Sequence, residues 1–185
     1  QGLLTSACAQ MIRHFDLPGC AASGMADAKM PDAQSGYEKG STAVMAGLSG
    51  LNMVYEAAGM HASLLGFCLE SLVIDNDMLG QCLRCVRGIE VTENTLGFEV
   101  MKDVCLDGPG HYLGHQQTLS LMQTEYIYPA VSDRSSPKEW EETGKLILTD
   151  VAQKRVAEIL EKYNPSHISP SLDAKLRSRY RILLD

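Results

Sequence analysis

The order of short apolar runs and longer helical patterns is what most constrains this chain. Residues 19–24 (Gly-Cys-Ala-Ala-Ser-Gly) are small and suit a buried strand, or a backbone that passes close to something else. A polar loop at 25–32 follows. Residues 34–51 then read as a helix with small residues at Gly36, Gly40, Ala43, Gly47 and Gly50. A second short strand, residues 52–57, leads through a loop at 58–61 into a long helical region over about residues 62–87. Strand, loop, helix, repeated, is the order of parallel βαβ units. Two strands are too few for a stable parallel sheet. The rest of the sheet is expected from residues before Gln1. An opening without Met, with Leu3, Leu4, Cys8, Met11 and Ile12 at helical spacing, points the same way.

The remainder reads as helices. Residues 1–16 form one, ending near Asp16-Leu17-Pro18. Another spans 95–104, capped by Asn94, and glycine-rich 107–114 breaks it. A short helix covers 118–126, a turn region 129–137, and Ser136-Pro137 starts a further helix with proline at its first position. Residues 146–163 are amphipathic, with Ile147, Val151, Ala152, Val156, Ile159 and Leu160 on one face and Pro165 as the stop. A last, basic helix runs over 171–184. The division expected is residues 1–128 as βα units with associated helices and 129–185 as a helical extension.

With 185 residues the chain fits a single domain with a real core. A net charge of −7 disfavours nucleic acid as a partner, because phosphates call for a basic surface. No apolar run approaches a membrane span and the start lacks a signal peptide, so a cytoplasmic protein is expected. Six cysteines sit mostly in apolar stretches, as small hydrophobes in a reducing compartment do. Cys82-Leu83-Arg84-Cys85 lacks the second pair that structural zinc needs, and reads as helix packing.

In parallel α/β barrels, chemistry sits in the loops at the C-terminal strand ends. The first such loop carries Asp27, Lys29, Asp32 and Gln34, with Glu38 a turn into the helix. The second carries His61 and Ser63. A carboxylate cluster there can bind a cation or act as acid or base. The bland alternatives are that Asp32 caps the helix and that Lys29 pairs with Asp27. His111 and His115, four apart, would share a helix face, but Gly110 and Gly114 favour a tight turn in which they bond locally. A metal site is not expected.

Several blocks in order resemble the corrinoid-dependent trimethylamine methyltransferase family. They are Gly24 to Glu38 (GMADAKMPDAQSGYE), Glu70 to Asp77 (ESLVIDND), Arg87-Gly88-Ile89-Glu90-Val91, Gly108 to Leu119 (GPGHYLGHQQTL), Glu125-Tyr126-Ile127-Tyr128-Pro129 and Asp133-Arg134-Ser135. Together they cover roughly residues 20–165. The resemblance implies the C-terminal part of an eight-stranded α/β (TIM-type) barrel. It implies one-carbon metabolism of the methanogenic kind: transfer of methyl from trimethylamine, or a quaternary amine such as glycine betaine, to Co(I) of a corrinoid (cobalamin). That corrinoid is carried by a cognate partner protein and not bound tightly by this chain. A homo-oligomer is expected.

Archaeal trimethylamine enzymes of that family use pyrrolysine, whose place falls in or near Ala21 to Gly24. Those residues are small and cannot supply its electrophilic imine, which favours a quaternary amine as donor. On this reading Asp27, Asp32 and Glu38 are catalytic. Gly24, Lys29, Gln34, Tyr37, Tyr55 and His61 contact substrate, the tyrosines facing its cation. His111, Tyr112 and His115 face the corrinoid. The competing class is a non-catalytic barrel fragment or scaffold that needs its N-terminal half, and a metal-dependent lyase is a third.

Overall fold

The computed structural model describes residues 1–163 and 167–182. Helix α1 (Gly2–His14) leads into strand β1 (Cys20–Ala22), helix α2 (Ala33–Leu48) and strand β2 (Met53–Tyr55). β1 and β2 pair in parallel, Cys20 opposite Met53 and Ala22 opposite Tyr55. This is the βαβ unit the pattern predicts. Side chains alternate along a strand. Val54 accordingly faces α2 and the next long helix, whereas Met53 and Tyr55 point away and are exposed.

The expected helix over 62–87 starts later, and this is a correction. Residues 60–67 form a small antiparallel hairpin, β3 (Met60–His61) with β4 (Gly66–Phe67), and helix α3 (Leu69–Arg87) begins only after it. Gly59 adopts φ +81°, and a Cβ there would run into the Phe67 ring. The Cys68 sulfur accepts from the Ser71 N–H and caps α3. An apolar run such as Leu64-Leu65-Gly66-Phe67 carries no period that separates these outcomes.

α2 lies along α3, and the small-residue face permits the close approach. A Cβ on Gly47 would come within 2.4 Å of Val86 Cγ2. Ala43 and Ala46 are buried there. Cys82 sits in the same seam, its Sγ 3.8 Å from the Gly40 carbonyl. Burial and the neighbouring Cys85 push the Cys82 thiol pKa up. The packing reading fits Cys82, whereas Cys85 is exposed, and both are free thiols.

The helix expected over 95–104 is two helices. Thr92, not Asn94, caps α4 (Glu93–Leu96) in a reciprocal capping box with Thr95. Gly97 then turns left-handed (φ 66°) and starts α5 (Phe98–Cys105). Next come α6 (Gln116–Glu125) and α7 (Pro137–Glu142), the latter capped by Ser136 with Pro137 at its start. Helix α8 (Leu148–Lys162) buries Ala152, packs on α3, and precedes α9 (Pro170–Arg179). Pro165 as the stop of α8 lies outside the described residues, whereas the last helix ends at Arg179, with Tyr180 already extended, short of the expected residue 184. No helix among those described is long and apolar enough to cross a membrane.

One carboxylate ties the segment before α7 to α3. Asp77 accepts the N–H groups of Ala130 (2.9 Å), Val131 (2.9 Å) and Ser132 (3.1 Å), and also the Ser132 hydroxyl. Burial pushes its pKa up, but these four donors outweigh burial and hold it below the ordinary 3.8. A lowered folded-state pKa gives stabilisation that is complete above the unfolded value and is lost as pH falls through the folded one. Asp77→Ala is expected to cost about 2–3 kcal/mol, since buried N–H groups lose their acceptor. Its urea midpoint at neutral pH, and proteolysis near residues 128–135, measure this. In acid, as Asp77 protonates, the gap between variant and parent closes.

Candidate functional site

The loop after β1, the first half of α2 and the hairpin turn enclose a pocket of about 470 Å³, lined among others by Gln1, Met25, Asp27, Tyr37, Glu38, Thr42, Ser63 and Leu64. Among the described residues, Asp27 and Glu38 are the charged side chains in its wall, and no Lys or Arg side chain lines it. The exposed ring of Tyr37 adds a π face. The pocket thus presents negative charge and an aromatic surface, a combination that attracts cations.

The loop after β1 is built to present one side chain. Ala26 and Ala28 are buried and Asp27 between them is exposed. Glu38 Oε2 accepts the N–H groups of Asp27 (2.7 Å) and Ala28 (3.4 Å), while its Oε1 accepts from Gln34 Nε2 (2.9 Å). Glu38 therefore braces the loop as well as lining the pocket. On the opposite side, Ala28 O accepts from Ala62 N (3.0 Å) and Ala26 O from Ser63 N (3.2 Å). The Ser63 hydroxyl donates to the Asp27 carboxylate. Upstream, Gly24 has φ +84°, its N–H reaches Thr42 Oγ1, and a Cβ would lie 2.6 Å from Ala57 O. Only glycine fits that crossing.

Behind the loop lies a buried polar cluster that the sequence reading missed. Lys39, 1% exposed, donates to Asp75 Oδ2 at 2.6 Å. The same oxygen accepts the Gly59 N–H at 2.7 Å. His61, 3% exposed, has Nδ1 3.2 Å from Ala28 O and Nε2 3.4 Å from Lys39 Nζ. A carbonyl only accepts, so Nδ1 carries a proton and Nε2 faces the ammonium and the Ser71 hydroxyl. A signal was present: Ser35, Lys39, Ala43 and Ala46 share one helical face, and a lone cation on a small-residue stripe is a buried cation.

The other expected site residues separate. Asp32 caps α2 through Ser35 N (3.0 Å) and lies outside the pocket wall, so its carboxylate is engaged locally. Lys29 turns its ammonium to Asp27 O (2.8 Å), not to the Asp27 carboxylate. Gln34 reaches the site only through Glu38. Tyr55 is on the far face of the strand pair, and His61 is in the buried cluster; neither lines the pocket. In the glycine-rich run, His115 Nδ1 caps α6 by accepting from Gln117 N (3.1 Å), the local bonding that a tight turn predicts. His111 is exposed, and Tyr112 Oη lies 3.5 Å from Cys105 Sγ, a contact that raises the tyrosine pKa. None of the three lines the pocket. No group of three or more His, Cys, Asp or Glu is placed to hold a metal among the described residues.

A parallel βαβ unit with an acidic, tyrosine-bearing pocket beside the loop after β1 is the class that fold and site define. The chain belongs to the trimethylamine methyltransferase (MTTB) family, which matches it over residues 1–181. It is 33% identical over 177 residues to a glycine betaine methyltransferase of Desulfitobacterium hafniense (strain Y51), covering 95% of this chain and 36% of that protein. It is 32% identical over 171 residues to the trimethylamine methyltransferase MttB of Methanosarcina thermophila, covering 92% and 35%. The MttB of D. hafniense (strain DSM 10664 / DCB-2) is 32% identical over 177 residues, covering 96% and 35%. The chain thus spans about a third of the length of these relatives.

Lys39→Met would strand the Asp75 carboxylate in the interior and is expected to destabilise by about 3–5 kcal/mol. Adding Asp75→Leu recovers part of that loss, since the buried charge is gone but the Gly59 N–H stays unpaired. Denaturant midpoints of parent, single and double variants measure both effects.

Proposed function

We propose that this chain is the C-terminal part of an α/β-barrel enzyme that moves a methyl group from a quaternary amine to the Co(I) corrinoid of a partner protein. The observation that carries the reading is the pocket beside the loop after β1, with Asp27, Glu38 and Tyr37 in its wall and, among the described residues, no Lys or Arg side chain lining it. The names of the relatives divide between trimethylamine and glycine betaine. Barrel architecture suits the parallel β1–β2 pair, with helices on one face and Met53 and Tyr55 bare on the other.

Chemistry selects between the two donors. A neutral amine makes a poor leaving group unless its nitrogen first becomes cationic. A quaternary ammonium already carries the charge. Its C–N bond breaks with the electron pair returning to nitrogen, and the methyl carbon takes its new pair from the reduced cobalt. Ala21, Ala22, Ser23 and Gly24 offer no electrophile to activate a neutral amine, which supports the quaternary donor. Asp27 and the Tyr37 ring hold the ammonium in place, and Glu38 keeps the Asp27 loop rigid.

The assay is methylation of Co(I) cobalamin by the intact protein that carries this chain, followed by absorbance, with glycine betaine and trimethylamine compared. Turnover is expected with glycine betaine. Asp27→Asn is expected to lower kcat/KM by about tenfold or more, the scale of losing one charge-assisted contact. Absence of turnover with every quaternary amine rules the reading out.

A further inference from the structure

We propose that Ser63 is a positioning residue: held in a strained left-handed turn, it aims the Asp27 carboxylate and so sets the site's selectivity for permanently charged ammonium groups. The inference rests on the function proposed above and extends it to a residue outside the expected catalytic set.

The backbone is the first observation. Ala62, Ser63 and Leu64 have φ of 50°, 53° and 74°. Three successive non-glycine residues in the left-handed region are costly, because each Cβ crowds the following carbonyl. Such strain persists only where the surroundings enforce it. Here the enforcing groups belong to one short loop: Ala62 N and Ser63 N donate to Ala28 O and Ala26 O, the carbonyls flanking Asp27. The turn is thus clasped to the very residues that present the carboxylate.

The second observation is what the turn delivers. Ser63 Oγ donates to Asp27 Oδ1, and both residues line the pocket. The donor occupies one carboxylate oxygen and fixes the rotamer. The other oxygen, Oδ2, has no protein donor among the described residues. Glycine would occupy this backbone without strain and asparagine at little cost, so the serine is there for its hydroxyl. A quaternary ammonium has no N–H to donate and is held by the carboxylate charge and the Tyr37 ring. Its affinity therefore depends on where the carboxylate sits. An amine bearing N–H can draw a loose carboxylate to itself and depends on it less.

Ser63 variants separate positioning from folding, tested in the intact protein by steady-state Co(I) cobalamin methylation and by calorimetric binding of tetramethylammonium. Ser63→Gly relieves the strain and removes the hydroxyl. Its melting temperature is expected to stay level or rise, while KM for glycine betaine and Kd for tetramethylammonium rise about tenfold, the scale of one hydrogen bond to a charged group. The Kd for methylammonium should shift much less. Ser63→Asn, which tolerates the same backbone and restores a donor, is expected to recover most of the loss. In an Asp27→Asn background Ser63→Gly should add nothing further. A parent-like KM and Kd in Ser63→Gly overturns the positioning role while leaving the methyltransferase reading intact. A lowered melting temperature with unchanged Kd assigns the hydroxyl to folding and overturns it equally. A parent protein that neither binds nor turns over any quaternary ammonium defeats both.

Discussion

The Lys39–Asp75 pair is the interaction on which the rest depends. Both side chains are almost fully withdrawn from water. Two ions cost several kcal/mol each to bury, and only close geometry with further hydrogen bonds offsets that. The structure supplies both: the 2.6 Å contact, the Gly59 N–H on the same Asp75 oxygen, and His61 beside the ammonium. Three elements are fixed in consequence. α2 cannot slide along α3 without separating Lys39 from Asp75. The turn at Gly59 cannot leave α3. The hairpin carrying His61 cannot leave α2. Through His61 Nδ1 the same cluster grips Ala28 O, and so the loop that presents Asp27.

The apolar packing would not impose that order by itself. The fully buried apolar side chains among the described residues are alanines and valines, while Met53, Tyr55, Leu3, Leu4 and many other large ones are exposed. Alanine seams let helices approach closely but specify register weakly, because small side chains interlock little. A buried ion pair is directional and specifies one register. The Asp77 clamp plays the same part for residues 130–132, where three consecutive N–H groups converge on one carboxylate. Placement by polar contacts suits a unit whose large apolar faces remain uncovered within the chain itself.

Local signals were legible in the sequence and distant ones were not. The strand–helix–strand order through β2, the Ser136 cap and the small-residue face of α2 all follow from residues within a turn or two of one another. The hairpin at 60–67 was hidden because two-residue strands have no period and its turn uses left-handed Ala62, Ser63 and Leu64 in place of glycine. Gly97, inside the span of the expected helix, ends one. In the site, Asp27 and Glu38 follow from their place after β1 and Tyr37 from the family resemblance, and the structure brings the three together. Lys39 and Asp75 were passed over because a lone charge on a helix is ordinarily solvated. Asp77 was beyond reach, since its partners lie 53 to 55 residues away.

The carboxylates of the first loop show why residue type alone misassigns roles. Asp27, Asp32 and Glu38 look equivalent in sequence, yet their oxygens have different donors. Asp32 is occupied by the α2 N-terminus, and Glu38 by two loop N–H groups and Gln34. A carboxylate already saturated with protein donors has little left for a ligand, because each accepted bond spends negative potential that a cation would otherwise feel. Among the described residues the Asp27 carboxylate has one donor, the Ser63 hydroxyl, and the residue stands exposed between two buried alanines. Its neighbours' bonds hold the backbone and leave its charge available. The division of labour is therefore set by donors rather than acids: two carboxylates build the loop so that the third can face the pocket.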